Sequence, residues 1–395
     1  MDTNMAATTS TPEFTAAPAI EELRALPKEV LTILNQNGFS EQLFNKLSAS
    51  INAQSDSINR VTGTVQPPQP TDISNPPDPS SQEAARLARI GLDAIAKGQL
   101  AFVVLAGGMA TRMGGVVKAL VPVFDNISFL DLRIAENRTW SKRAGTPIPL
   151  WIMTSHATDS KLQQAIAESS PLHASPNSIT TFQQNISIRI TPNGSLFRHS
   201  DGTPSFYSPG HGDLPDAIKR CGLLRQFVNS GGKHLWIANI DNLGAGIDPT
   251  ILGWHIEHGA PMSVEVVNKA ANDRGGIPVR WNEKPVVLEE FRLPTSFDPH
   301  QVTVFNTNTF LISATHLSEL NFDFTWFKVE KGVDGAKAIQ FERLIGELTT
   351  PFDTRFIRVP RDGAKSRFIP VKNLDELAAN RELIREVASL RGMLP

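Results

Sequence analysis

From Ile20 to Ile51 apolar residues recur three and four positions apart: Leu23, Leu26, Val30, Leu31, Ile33 and Leu34, then Phe39, Leu43, Leu47 and Ile51. That spacing stacks them on one helical face, so it predicts two short helices broken near Asn37-Gly38. Six prolines then fall between Pro67 and Pro79. Each removes a backbone donor and fixes φ, which forbids continuous helix and favours an extended strap or linker. Ser80-Ser81 offer caps for a helix running to about Lys97, with Leu87, Ile90 and Ile95 turned inward and Gly98 as its stop.

Beyond this helix the pattern changes period. Leu100 to Leu105 (LAFVVL) is continuously apolar, and similar runs recur at Pro149 to Met153, His234 to Asn239 and Met262 to Val267. Unbroken runs of this length fit parallel strands covered on both faces. Helical stretches, such as Ser160 to Glu168 and Leu214 to Val228, lie between them. Strand-helix alternation predicts an α/β chain with an open sheet. Three regions are expected: a disordered terminus (1–18), a helical arm with its Pro-rich linker (19–82), and the main domain (83–395). No internal repeat is present.

Composition narrows the classes of partner. The 395 residues carry 38 Lys+Arg against 40 Asp+Glu, a net charge of -2, which leaves no bulk field to hold a polyanion. Neither nucleic acid nor a membrane surface is an expected partner, and phosphate binding must be local. Tryptophans are scattered, with no basic stripe between them to make a base-stacking platform. The longest apolar run is far shorter than the roughly 20 residues of a membrane span. The N-terminus has neither a basic nor an apolar leader region, and the single Cys221 permits no intramolecular disulfide. A reducing compartment, the cytoplasm, is therefore expected.

The most informative segment is LAGGMATRMGGVVKAL, Leu105 to Leu120. An apolar strand opens into Gly107-Gly108, where backbone N–H groups can approach a phosphate, with Arg112 and Lys118 close in sequence. Alone, the glycine pair serves equally as a turn. No Gly-Lys-Ser/Thr and no G-x-G-x-x-G is present. Asp241 ends the strand HLWIAN, at the carboxyl edge where α/β sheets place ligands; a helix-capping role is the alternative. Trp254-His255-Ile256-Glu257-His258 lacks zinc-site spacing and reads as a surface helix.

LAGGMATRMGGVVKAL resembles the L-x-G-G-x-G-T-x-x-G-x-x-x-P-K signature of sugar-1-phosphate nucleotidyltransferases. Later segments narrow the resemblance to the UTP–glucose-1-phosphate uridylyltransferase family: TFQQ (181–184) at a strand start, SPGHGD (208–213), ANIDNLGA (238–245), EVVNKAANDRGG (265–276), FNTNTF (305–310) and SRFIPVKNLDEL (366–377). The resemblance runs from about Leu100 to Ile384.

It implies a Rossmann-like mixed central sheet of the nucleotide-diphospho-sugar transferase type, with the sugar side in the region from about 260 onward. It also implies attack of a sugar-1-phosphate, most simply glucose-1-phosphate, on the α-phosphorus of UTP, with Mg²⁺ at Asp241. Arg112, Lys118 and Lys372 would neutralise phosphates. Leu105, Ala106, Gly107, Gly108, Gln184 and Gly210 would bind the nucleotide, and His211, Asn239, Lys269, Asn306 and Asn308 the sugar phosphate. Two positions depart from the signature: Ala110 stands in place of a glycine, and Val117 in place of the proline before Lys118. They leave open an inactive nucleotide-sugar-binding regulator; a different sugar-1-phosphate, such as N-acetylglucosamine-1-phosphate, is the other alternative. A glycosyltransferase of related fold would need an Asp-x-Asp motif, which Asp241-Asn242-Leu243 lacks. The end at Pro395 leaves no room for the family's C-terminal β-helical domain, so the oligomeric state is left undetermined.

Overall fold

The computed structural model describes residues 18–51, 59–110, 113–169, 175 and 177–394. Residues 1–17 of the segment expected to be disordered lie outside the described residues; Pro18 already opens a helix. The central sheet has eight strands: β1 (Ile73–Ser74), β2 (Leu100–Leu105), β3 (Leu150–Thr154), β4 (Ile179–Gln183), β5 (His234–Asn239), β6 (Met262–Asn268), β7 (Val304–Ser313) and β8 (Thr354–Arg358). Their spatial order is β1-β8-β6-β7-β5-β2-β3-β4. Neighbours run parallel except at β7, which is antiparallel to both β5 and β6. The expected mixed α/β sheet is therefore present.

Continuous apolar sequence and double-sided burial coincide. Every residue of β2 and β3 is buried, and Trp236, Phe102, Phe310 and Phe356 are among the largest side chains removed from solvent. Helix α4 (Gln82–Ala96) starts on Ser81, whose side chain accepts from the Ala84 N–H, and is followed by Gly98 with φ +68°. Among the described residues no helix is long and apolar enough to cross a membrane.

Four local readings change in the structure. The arm holds three helices, α1 (Pro18–Arg24), α2 (Lys28–Gln36) and α3 (Glu41–Ala49), because Pro27 adds a break that the apolar spacing does not reveal. The helical stretch 214–228 divides into Leu214–Arg220 and Leu223–Asn229, with Gly222 at φ +81° between them. The proline strap is docked: it supplies edge strand β1, and Asp72 accepts two hydrogen bonds from Arg280 at 2.8 and 3.0 Å. Finally, helix α6 (Pro249–His258, following α5, Phe129–Ala144) is only partly superficial: Ile251 to His255 are buried, while Glu257 and His258 are exposed as a surface helix requires. Its His255 is 2 % exposed and hydrogen-bonds Ser263 Oγ through Nδ1 at 2.8 Å.

The arm rests on a second apolar cluster, where Leu23, Leu34 and Phe44 meet Ile186, Ile188, Ile339 and Phe341. The last two belong to the hairpin Phe327–Val333/Ala336–Glu342, which also borders the site described next.

Candidate active site

Strand β2 delivers its carboxyl end into the glycine loop. The Ala106 N–H is spent on the Met153 carbonyl at 2.8 Å, whereas the Gly107 and Gly108 N–H groups donate to no acceptor among the described residues. Gly107 is glycine for a spatial reason: a Cβ there would lie 2.3 Å from Gln184 Nε2. Gln184 follows β4, so TFQQ marks a strand end instead of a strand start. Its backbone is tied to the Thr154 carbonyl at 3.0 Å, its side chain is buried, and its Oε1 has no partner among the described residues. A buried acceptor left unpaired costs free energy unless a ligand or water pairs it.

The SPGHGD loop turns at Gly210, with φ +88°, and Gly212 packs against the backbone of Arg343 and Leu344 so closely that a Cβ would overlap both. Asp213 anchors the loop, accepting from the Asn185 N–H at 2.5 Å and pairing with Arg343. His211 Nδ1 accepts the Ile345 N–H at 3.0 Å, which leaves Nε2 to carry the proton. Burial lowers the imidazole pKa to about 4, so at neutral pH this ring offers one neutral N–H donor.

At the end of β5, Asp241 meets Lys118 Nζ through Oδ2 at 2.5 Å. Lys118 is held by a short ribbon in which Met109-Ala110 pairs with Val116-Val117, and its N–H donates to the Gly108 carbonyl at 3.2 Å. The two departures from the signature are absorbed here. Val117 has φ −64°, the value a proline would impose, and Ala110 has a negative φ and buries its methyl in the core.

Leu105, Gly107, Gly108, Lys118, Gln184, Gly210, His211, Asn239 and Asp241 thus line one cavity of about 700 Å³. Asn239 Oδ1 accepts from Asn308 Nδ2 at 2.9 Å, and the Asn308 N–H donates to Asn306 Oδ1 at 3.0 Å, an amide chain leading away from the wall. Asn308 adopts φ +57°, a left-handed conformation that asparagine tolerates better than most residues. Lys269 is not brought in: its ammonium is bound by Glu290 at 3.0 Å. Lys372 is exposed at the start of the last helix and is not a lining residue. Arg112 lies outside the described residues.

Several contributors escaped the sequence reading. Arg189 lines the cavity, held by Gln340 Oε1 at 2.8 Å and the Phe206 carbonyl at 2.6 Å. Lys331 and Glu342 enter from the hairpin, 3.2 Å apart. Glu289 does not line the cavity but sits beside Gly276 and Asn306, where burial, with neighbouring Glu290, pushes its pKa up to about 7. For these the available signals were a charge inside an apolar strand (VVLE) and a basic residue between isoleucines (SIRI), neither specific.

Among the described residues no group of three or more His, Cys, Asp or Glu is arranged to hold a metal ion. Asp241 offers one hard carboxylate at the cavity wall. That donor fits a cation such as Mg²⁺ that takes its remaining ligands from phosphates and water, and does not fit a cation caged by protein alone.

The sequence model of the UTP–glucose-1-phosphate uridylyltransferase family matches residues 41–387. UTP–glucose-1-phosphate uridylyltransferase of Hordeum vulgare is 30% identical over 69% of this chain and 59% of its own length. The Encephalitozoon cuniculi protein of that name is 30% identical over 71% and 57%, and uridylyltransferase 2 of Dictyostelium discoideum 31% over 71% and 57%. The chain thus spans less than two thirds of the length of these curated relatives. Among solved structures, a uridine diphosphate N-acetylglucosamine pyrophosphorylase from Trypanosoma brucei, in complex with inhibitor, superposes with a TM-score of 0.73 at 21% identity, covering 88% of this chain and 76% of that one. A UDP-glucose phosphorylase from the same organism gives 0.72 at 21% identity, covering 93% and 78%. These structures share the fold.

Proposed function

The chain belongs to the UTP–glucose-1-phosphate uridylyltransferase family, and from that membership we propose that it joins UTP and glucose-1-phosphate into UDP-glucose and pyrophosphate. The observation that supports this most is the convergence of phosphate donors, a base-reading amide, a cation and a carboxylate on one cavity. A phosphate oxygen of the sugar forms a bond to the α-phosphorus, and the bond from that phosphorus to the bridging oxygen breaks as pyrophosphate leaves. The nucleophile is already ionised, so the protein needs no general base; it must hold two anions in line.

In this reading the free Gly107 and Gly108 N–H groups take phosphate oxygens of UTP, and the unpaired Gln184 Oε1 takes the uracil N–H. Lys118 exchanges its Asp241 partner for the triphosphate, with Arg112 as a further cation; Lys372, exposed and off the cavity wall, would act only if its segment moved in. Asp241 would hold Mg²⁺, which when bound neutralises charge on both phosphate groups. The neutral His211 Nε2–H donates to the sugar phosphate, and the Asn239, Asn308 and Asn306 amides, with Glu289, face the sugar hydroxyls. Lys269 would act only if released from Glu290. Absorption of Ala110 and Val117 without strain favours an active enzyme over an inactive regulator. We place the reaction in the cytoplasm and give the sheet domain the chemistry, with the arm as its support.

The deciding experiment crosses nucleoside triphosphates with sugar-1-phosphates in Mg²⁺ and follows pyrophosphate. Release is expected with UTP and glucose-1-phosphate. Release only with N-acetylglucosamine-1-phosphate would reassign the sugar, and none in any combination would remove the enzymatic reading.

A further inference from the structure

A second cavity, of about 560 Å³, lies between α4, the carboxyl end of α5, the start of α6 and the end of the last helix, Leu374–Leu390. It shares no lining residue with the first. Its walls are largely apolar, with Trp140, Ile251, Val359 and the exposed Leu390. Its polar groups are unbalanced. Four basic residues, Arg143, Lys365, Arg367 and Arg391, line it against the two carboxylates Asp78 and Asp248, and behind this wall Trp140 Nε1, Arg367 Nη1 and Arg391 Nε are buried without an acceptor among the described residues. The lining carboxylates are already engaged: Asp78 by Ser80, and Asp248 by the Thr250 and Ile251 N–H groups. Arg367 Nη1 reaches Asp248 only at 3.8 Å, although the rest of that guanidinium is paired with Glu265. Burial and the neighbouring Arg367 charge lower the Arg391 pKa to about 10.

A pocket of this size, with apolar walls and an excess of basic over acidic lining residues, has the character of a site for an anion with an apolar body. We infer that this cavity binds a small amphipathic anion, an acceptor-rich phosphate, sulfonate or carboxylate head on a flat apolar body, and that its occupant acts on the turn carrying Asp241. The link is short. The Arg367 carbonyl accepts from Asn242 Nδ2 at 3.1 Å, the Ile369 N–H donates to Asn242 Oδ1 at 2.9 Å, and a Cβ on Gly244 would lie 2.6 Å from the Arg367 carbonyl carbon. A displacement of the backbone at Arg367 is therefore passed to Asn242, the residue next to Asp241. The effect on turnover rests on the function proposed above; binding does not.

The test titrates the full chain with anilinonaphthalene sulfonate and reads dye fluorescence. Saturable binding is expected, weakened at least about tenfold by Arg391→Met and by Ala85→Phe. The latter substitutes an exposed lining residue and fills the mouth while the core is left alone. Lys118→Met, in the first cavity, should leave dye affinity unchanged. Phenyl phosphate should displace the dye at concentrations where inorganic phosphate does not, and should alter pyrophosphate release in the native chain but not in Ala85→Phe. Dye affinity unchanged in Ala85→Phe, or lost in Lys118→Met, would overturn the site. Equal displacement by inorganic phosphate would overturn the ligand class. Dye binding as expected in a chain that releases no pyrophosphate would uphold the site and refute only the enzymatic reading.

Discussion

At the scale of single residues, the proposed reaction puts the Lys118–Asp241 pair at its centre. Each partner sits in a partly dry wall and is paired with the other. Asp241→Ala and Lys118→Ala should each lower kcat by about 100- to 1,000-fold, the range for removing one group that stabilises developing charge. Urea unfolding should show the fold intact; an active Asp241→Ala protein would reassign the metal. Gly107 makes a separate claim. Its Cβ would displace Gln184 Nε2, the movable end of a side chain, so Gly107→Ala should fold normally. It should raise KM for UTP by about tenfold, the worth of one net hydrogen bond to the base. Unchanged KM would separate Gln184 from base recognition.

At the scale of elements, the crossing of α4 and α6 is built on reciprocal glycines. A Cβ on Gly91 would lie 2.0 Å from the Pro249 carbonyl oxygen, and one on Gly253 would lie 1.9 Å from that of Leu87. Both obstacles are backbone, so neither helix can yield by rotating a side chain. Gly253→Ala should therefore destabilise the chain by about 1–3 kcal/mol, read as a lower urea midpoint. Catalytic parameters should stay unchanged in the folded fraction. This packing also explains why Trp254 and His255 are interior although Glu257 and His258, farther along the same helix, are exposed.

At the scale of the whole molecule, buried bases set the response to acid. Burial holds His211 and His234 at about 4 and His255 at about 3, against 6.5 in the unfolded chain. Below pH 6.5 the unfolded chain takes up protons that the folded one refuses. Their contribution is thus complete above 6.5 and lost as pH falls toward 4. Glu289, raised from 4.5 to about 7, opposes this: it keeps a proton in the fold that the unfolded chain releases, so its contribution declines as pH rises from 4.5 through 7. Asp213, Glu265 and Glu347, also raised by burial, oppose the histidines as Glu289 does, so the histidine part is read by difference. Between pH 7 and pH 5 acid should cost His234→Leu less urea midpoint than it costs the native chain; an identical response would show that His234 protonates freely in the fold.

Local physics explains why so much was legible. A strand buried on both faces must be apolar at every position, so β2 and β5 could be read to the residue. Gly107-Gly108 marks in two letters where the chain after β2 leaves its backbone open to close approach, although the pair alone reads equally as a turn. What joins Lys118 to Asp241 across 123 positions, or Asp213 to Arg343 across 130, has no local signature. Periodicity reports which face of an element is covered and never what covers it. Sequence alone thus located four of the eight central strands and the kinds of group the proposed reaction would draw on, but not the breaks at Pro27 and Gly222. Only the tertiary structure decided which groups share a cavity. It drew in Arg189 and Lys331, left Lys269 on Glu290, and opened a second cavity behind the Asp241 turn, because those outcomes depend on packing between distant segments.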